Sequence, residues 1–265
     1  MRVIALLLIL ALPLRGADRE KIAALNVAST SLVTWARCLV HAKLTKTRPK
    51  HMRCLAAGAL GGAGFYQAKR LAGDGHITTA WLLANLTSSV VENTTLGEHP
   101  LSRLGYTFGP FRLRLATPLD RARESLLDVD VNAAETGYLA RAVIDADDVD
   151  IRDGMIWYET ESPDIDEDGR VVHGYTWGLF PGVWRGARKE VWNHEAVHAV
   201  QSMQLDSAEP PALTLDRERR LVRVRYLRLG ALNVADNLSS QLVPYEERWV
   251  EIEAYRFAGD REPPR

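Results

Sequence analysis

From Lys21 to Ala42, apolar side chains recur three and four residues apart, at Ile22, Leu25, Ala28, Leu32, Trp35, Ala36 and Leu39. That spacing draws one stripe along a helix, so the segment predicts an amphipathic helix. A basic connector, Lys43 to Arg53, interrupted by Pro49, leads into Cys54 to Tyr66 (CLAAGALGGAGFY), where Gly and Ala allow other backbones to come close. At 13 residues between basic flanks this stretch is short for a membrane span, and tight helix packing is the expectation. A third apolar segment, Ile77 to Val91, gives way to the polar Glu92-Asn93-Thr94-Thr95.

Near Arg103 the period changes from that of a helix to that of a strand. In Phe111-Arg112-Leu113-Arg114-Leu115 apolar and charged residues alternate strictly, which puts one set on each face of a strand. Leu127 to Val131, Tyr138 to Ile144, Met155 to Thr160 and Val171 to Phe180 read as further β-rich runs, separated by Gly, Asp and Pro. Together they predict a mainly antiparallel sheet. Helical character returns at Ala187, breaks near Pro210-Pro211, and closes in a helix expected from Tyr245 to Ala258, ahead of a charged tail, Gly259 to Arg265.

Charge narrows the function classes. With 33 basic and 34 acidic residues the formal net charge is -1, so no global field draws in nucleic acid, and a dedicated DNA or RNA binder is not expected. The N-terminus says more: Met1-Arg2, an unbroken apolar run from Val3 to Leu14, then Arg15-Gly16-Ala17. These are the parts of an export signal, cleaved or retained as an anchor, and the run is too short for a full span. The chain is therefore expected to be exported: periplasmic, extracellular or membrane-associated through its N-terminal region. In an oxidising compartment its two cysteines, Cys38 and Cys54, either pair or stay as buried thiols.

An acidic turn, Asp164-Ile165-Asp166-Glu167-Asp168-Gly169, has the opening of a calcium loop. Its twelfth position is Tyr175 where a bidentate Glu is needed, so a solvated hairpin loop is the expectation.

The segment with the most specific chemistry is Trp192 to Gln201, WNHEAVHAVQ. On a helix, His194 and His198 lie one turn apart on one face, and both can turn a ring nitrogen toward one ion. Glu195, offset by one position, stands beside such an ion as a general base. A catalytic zinc site commonly takes a third protein ligand. Gln201 and Gln204 occupy the near downstream positions and no histidine follows His198, so the third ligand is a carboxylate or an upstream histidine, and Trp249 to Ala258 is the candidate segment.

His194-Glu195-Ala196-Val197-His198-Ala199-Val200-Gln201 followed by Glu251-Ile252-Glu253-Ala254 resembles the glutamate-ligand (gluzincin) branch of the zincin metallopeptidases, with H-E-x-x-H and a later E-x-x-A. The added Gln201 is similar to small bacterial domains carrying H-E-x-x-H-x-x-Q. The resemblance covers roughly His194 to Ala258. It implies one zinc ion held by His194, His198 and Glu251, Glu195 as the catalytic base, and peptide or protein substrates. Helical-wheel reasoning instead puts Glu253 nearest the centre of the apolar face, where a buried carboxylate needs a partner and a metal would serve. Tyr255 stands where family members often carry Asp. Tyr226, Tyr245, Tyr255 or His173 are candidates to stabilise an oxyanion.

The resulting expectation is an α+β protein with a helical N-terminal part, an antiparallel β-rich middle and a C-terminal zincin-like helix pair. Residues 1–17 form the signal peptide or anchor, 18–100 the helical region and 101–265 the metallopeptidase-type domain. Two alternatives to a metallopeptidase are a non-catalytic envelope scaffold or binding protein, and a zinc amidase acting on cell wall.

Overall fold

The computed structural model describes residues 19–120, 125–165, 171–208, 213–218, 222–228 and 248–258, with 230 and 234 besides. The expected signal, the tail after Ala258 and residues 166–169 of the acidic turn lie outside these residues. Three helices open the described chain: α1 (Arg19–Leu44), α2 (His51–Gly73) and α3 (Ile77–Thr95). The strands β1 (Arg103–Phe108), β2 (Phe111–Ala116) and β3 (Leu127–Asn132) follow. Helix α4 (Ala133–Asp145) precedes β4 (Asp148–Arg152), β5 (Met155–Thr160), β6 (Asp164–Ile165), β7 (Val171–Val172), β8 (Gly174–Trp177) and β9 (Phe180–Trp184). Helix α5 (Lys189–Ala208), strands β10 (Leu213–Glu218) and β11 (Val222–Arg228), and helix α6 (Trp249–Ala258) complete it.

The mixed helix-and-sheet architecture is as expected. Antiparallel pairing dominates, but each larger sheet also contains a parallel pair. The five-stranded sheet runs β1-β2-β3-β11-β10 with β3 parallel to β11, and the four-stranded sheet runs β4-β5-β9-β8 with β5 parallel to β9. The β-rich run expected at Tyr138 to Ile144 is instead the second half of α4. The side chain of Asn132 accepts from the backbone N–H of Glu135, an N-terminal cap that starts a helix there. The β-branched Val143 and Ile144, which suggested a strand, lie exposed on it.

The small-residue segment packs as its composition indicates. A side chain at Gly62 would run into the Asn26 carbonyl oxygen and Val27 Cα, so only glycine lets α2 lie this close to α1. The cysteines pair: Cys38 and Cys54 form a disulfide joining α1 to the start of α2. Helix α1 has the length and apolar composition to cross a membrane. In the fold, its Ile22, Asn26, Thr30, Thr34, Cys38 and Ala42 are buried.

The alternation in β2 is resolved the opposite way from an ordinary half-buried strand. Arg112 and Arg114 point inward and Phe111, Leu113 and Leu115 outward: Arg114 is 1% exposed, Leu115 52%. The reason lies in α3, which carries Asn85, Ser89, Glu92 and Asn93 on its buried side. Glu92 pairs with Arg112 at 2.8 Å, and Asn93 accepts from Arg114 at 2.7 Å. Arg103 on β1 pairs with Asp120 and Asp128, both at 2.8 Å. Asn85 and Ser89 also accept from the backbone N–H groups of Thr107 and Gly105, which satisfies the outer edge of β1.

One apolar core joins the two ends of the chain. Phe65 and Ala68 of α2 and Trp81 of α3 pack with Val197, Val200 and Met203 of α5 and with Ala254 and Phe257 of α6. Helix α5 is covered on nearly every side, which lets it hold polar groups away from water.

Candidate metal centre

The two histidines project from the same side of α5, their ring centroids 4.7 Å apart. Their Nε2 atoms are 3.0 Å from each other, and Oε2 of Glu251, on α6, lies 3.3 Å from both. The three atoms form a small, nearly equilateral triangle. Ligands at about 2.0–2.1 Å from a tetrahedral zinc are separated by about 3.3–3.4 Å, so the edges fit that ion. The donor set, two imidazole nitrogens and a carboxylate oxygen, also fits, and His194, His198 and Glu251 are the one such cluster among the described residues.

Electrostatics pull the cluster together before any ion enters. Burial acts to lower the His198 pKa, but the Glu251 carboxylate, helped by Glu195 and Gln201, outweighs it and lifts the imidazole to about 9. Glu251 responds in the opposite sense: burial would raise its carboxyl, yet His198 and His194 hold it well below the usual carboxylate range.

Glu195, next to His194 on α5, reaches β8, where the Thr176 hydroxyl donates to its Oε2 at 2.8 Å. Burial pushes the Glu195 carboxyl up, against the pull of both histidines and of Thr176. A buried carboxylate with a raised pKa, next to a candidate metal-ligand triangle, is a stronger base than an exposed one and has the chemistry of a proton acceptor.

Glu251 and Glu253, which sequence reasoning left as rivals, have separate roles. Glu253 does occupy the centre of the buried face of α6, fully excluded from solvent, but its partner is the ammonium of Lys69 at 2.7 Å. Gln201 connects this pair to the histidines. Its Oε1 lies 2.8 Å from Nδ1 of His198, and its Nε2 donates to the Val250 carbonyl at 3.0 Å and to Glu253 Oε2 at 2.8 Å.

His194 has no comparable support. Its Nδ1 is buried with no hydrogen-bond partner among the described residues, and Tyr255 presents its ring edge-to-face at 4.5 Å. Of the four groups considered for an oxyanion, Tyr255 alone is seen at the cluster. His173 packs on Trp184 at 5.7 Å, and the side chains of Tyr226 and Tyr245 lie outside the described residues.

Sequence reasoning missed Thr176, Lys69 and Asn26. Lys69 carried a signal that could have found it, being a cation one helical turn beyond Phe65, in line with the apolar face of a helix made close-packing by Gly and Ala. The chain matches no family model, no curated protein and no solved structure.

Proposed function

We propose that the chain is an exported zinc-dependent metallopeptidase of the glutamate-ligand zincin type, with His194, His198 and Glu251 holding the ion and Glu195 as general base. The observation that carries this reading is the triangle itself: three ligand atoms from two helices, 57 residues apart in sequence, spaced at 3.0–3.3 Å with Glu195 alongside. Zinc in this site would polarise a substrate carbonyl and acidify a water.

The chain's own groups divide the remaining work. Glu195 takes the proton from the attacking water onto its carboxylate and delivers it to the leaving amine, so the group is restored after each cycle. Thr176 holds that carboxylate in one orientation. Strand β8 ends the four-stranded sheet among the described residues, and it lies against Glu195, so an extended peptide could pair along its outer edge. That favours peptides as substrates. Export is supported by the Cys38–Cys54 disulfide and the apolar N-terminal run.

Metal analysis of purified protein, followed by hydrolysis of a peptide library, tests the proposal. One equivalent of zinc, lost on His194→Ala, with Glu195→Gln retaining zinc and losing hydrolysis, is the expected result. Wild-type protein that binds no zinc would overturn it.

A further inference from the structure

The N-terminal helices carry a cation to a place where cations are rare. Lys69 of α2 is fully buried, and its Nζ donates to both carboxylate oxygens of Glu253, at 2.8 and 2.7 Å. It also donates to Asn26 Oδ1 of α1 at 2.6 Å and to Gln204 Oε1 at 3.0 Å. Asn26 in turn donates to Glu253 Oε1 at 2.7 Å. Four helices therefore meet at one ion pair. A pair of this kind is a poor stabilising device, because apolar residues of similar volume are often at least as stable in its place.

We propose that Lys69, with Asn26, is a positioning residue of the metal centre, acting through Glu253 and Gln201 to fix the tautomer and orientation of His198. The inference rests on the zinc reading of the site. The chain of constraints leaves little freedom. Lys69 donates to both carboxylate oxygens of Glu253 and Asn26 donates to Oε1, which fixes the Glu253 carboxylate with its Oε2 toward Gln201 as an acceptor. Two acceptors, Glu253 Oε2 and the Val250 carbonyl, then face one end of the Gln201 amide, and only its NH2 end can meet both. The amide oxygen is thus committed to His198, 2.8 Å away, so Nδ1 of His198 must carry a proton and donate it. With Nδ1 protonated, the lone pair of the neutral ring sits on Nε2, the atom in the triangle with His194 and Glu251. The helical N-terminal region is on this account part of the centre.

Two variants test the link from opposite ends. Lys69→Met/Glu253→Met removes both charges together and so leaves no uncompensated buried ion. Gln201→Leu leaves the ion pair in place and cuts its connection to His198. The readouts are zinc affinity, by competition with a chromophoric chelator, and the His198 Nδ1–H signal of the zinc-loaded protein in 1H–15N spectra. Each variant is expected to bind zinc about 10–100-fold more weakly and to lose slow exchange at that proton. The triple variant is expected to bind no more weakly than either, since one pathway has been cut twice. A merely structural pair would give additive losses. Folded variants with wild-type affinity would overturn the proposal while leaving the zinc site standing; wild-type protein without zinc affinity would overturn both. If the double variant does not fold, Gln201→Leu decides alone, and unchanged affinity there sinks the link.

Discussion

Thr176 and Glu195 join an edge strand to the helix that carries the histidines: the threonine hydroxyl lies 2.8 Å from one carboxylate oxygen and 3.2 Å from the glutamate's own carbonyl. The contact touches the proposed base and none of the three candidate ligand atoms. Thr176→Val is therefore expected to keep full zinc affinity and to lower hydrolysis about tenfold or more, since a hydrogen bond to a charged group is worth about 1.5–3 kcal/mol. Zinc titration and peptide turnover on the same preparation check it. Unchanged turnover would remove Thr176 from the support of the base.

The five-stranded sheet reverses the ordinary cost of substitution. Arg112→Leu removes the guanidinium that lies 2.8 Å from buried Glu92, and a loss of about 3–5 kcal/mol is expected. Leu113→Ser, on the outward face of the same strand, is expected to change stability by no more than about 0.5 kcal/mol. Urea unfolding of the two variants decides the matter, and a larger loss at Leu113 than at Arg112 would mean that the strand faces the other way.

The disulfide fastens α1 to α2 across a separation of 16 residues. Closing a loop of that size restrains the unfolded chain by about 3 kcal/mol, which in a protein of this length corresponds to about 6–12 °C in Tm. Cys38→Ala/Cys54→Ala should show that drop in calorimetry, and reductant should reproduce it in the wild type. Identical melting with and without reductant would contradict a bond.

Tyr158 sets an alkaline limit. Burial raises its phenol well above the usual range, and burial likewise raises Tyr175, whose carbonyl accepts from Tyr158 at 3.0 Å. In the unfolded chain both titrate near about 10. The stability they lend is complete below that pH and is lost as pH rises toward their folded values. Melting temperatures measured from pH 8 to 11 should fall above about 10, and Tyr158→Phe should fall less steeply. Parallel curves for the two proteins would rule out this phenol as the cause.

The local periodicities revealed much of this molecule. That His194, His198 and Glu251 come together follows from helical spacing plus a family-like motif, and the packing of Gly62 against α1 follows from residue size. What periodicity does not contain is the identity of the neighbour. Phe111 to Leu115 shows two faces, but which is buried depends on whether the covering helix brings leucines or, as α3 does, Asn85, Ser89 and Glu92. Glu253 was correctly placed at the centre of a buried face, and its need for a partner was correct too. The partner, Lys69, stands 184 residues earlier, beyond the reach of any local pattern. Tyr138 to Ile144 is helical because the Asn132 side chain caps the helix ahead of it, a feature that lies outside the run itself.

The distribution of the site along the chain sets an order of events in its making. His194 and His198 emerge well before Glu251, and α6, which carries that carboxylate, is the last described element to be synthesised. A growing chain has made Lys69, His194, Glu195 and His198 before either glutamate of α6 exists. Helix α6 then brings the candidate third ligand, Glu251, and the counter-ion of Lys69, Glu253, two residues apart. On the zinc reading proposed above, the ligand triangle closes only once α6 has been made and has packed against α5.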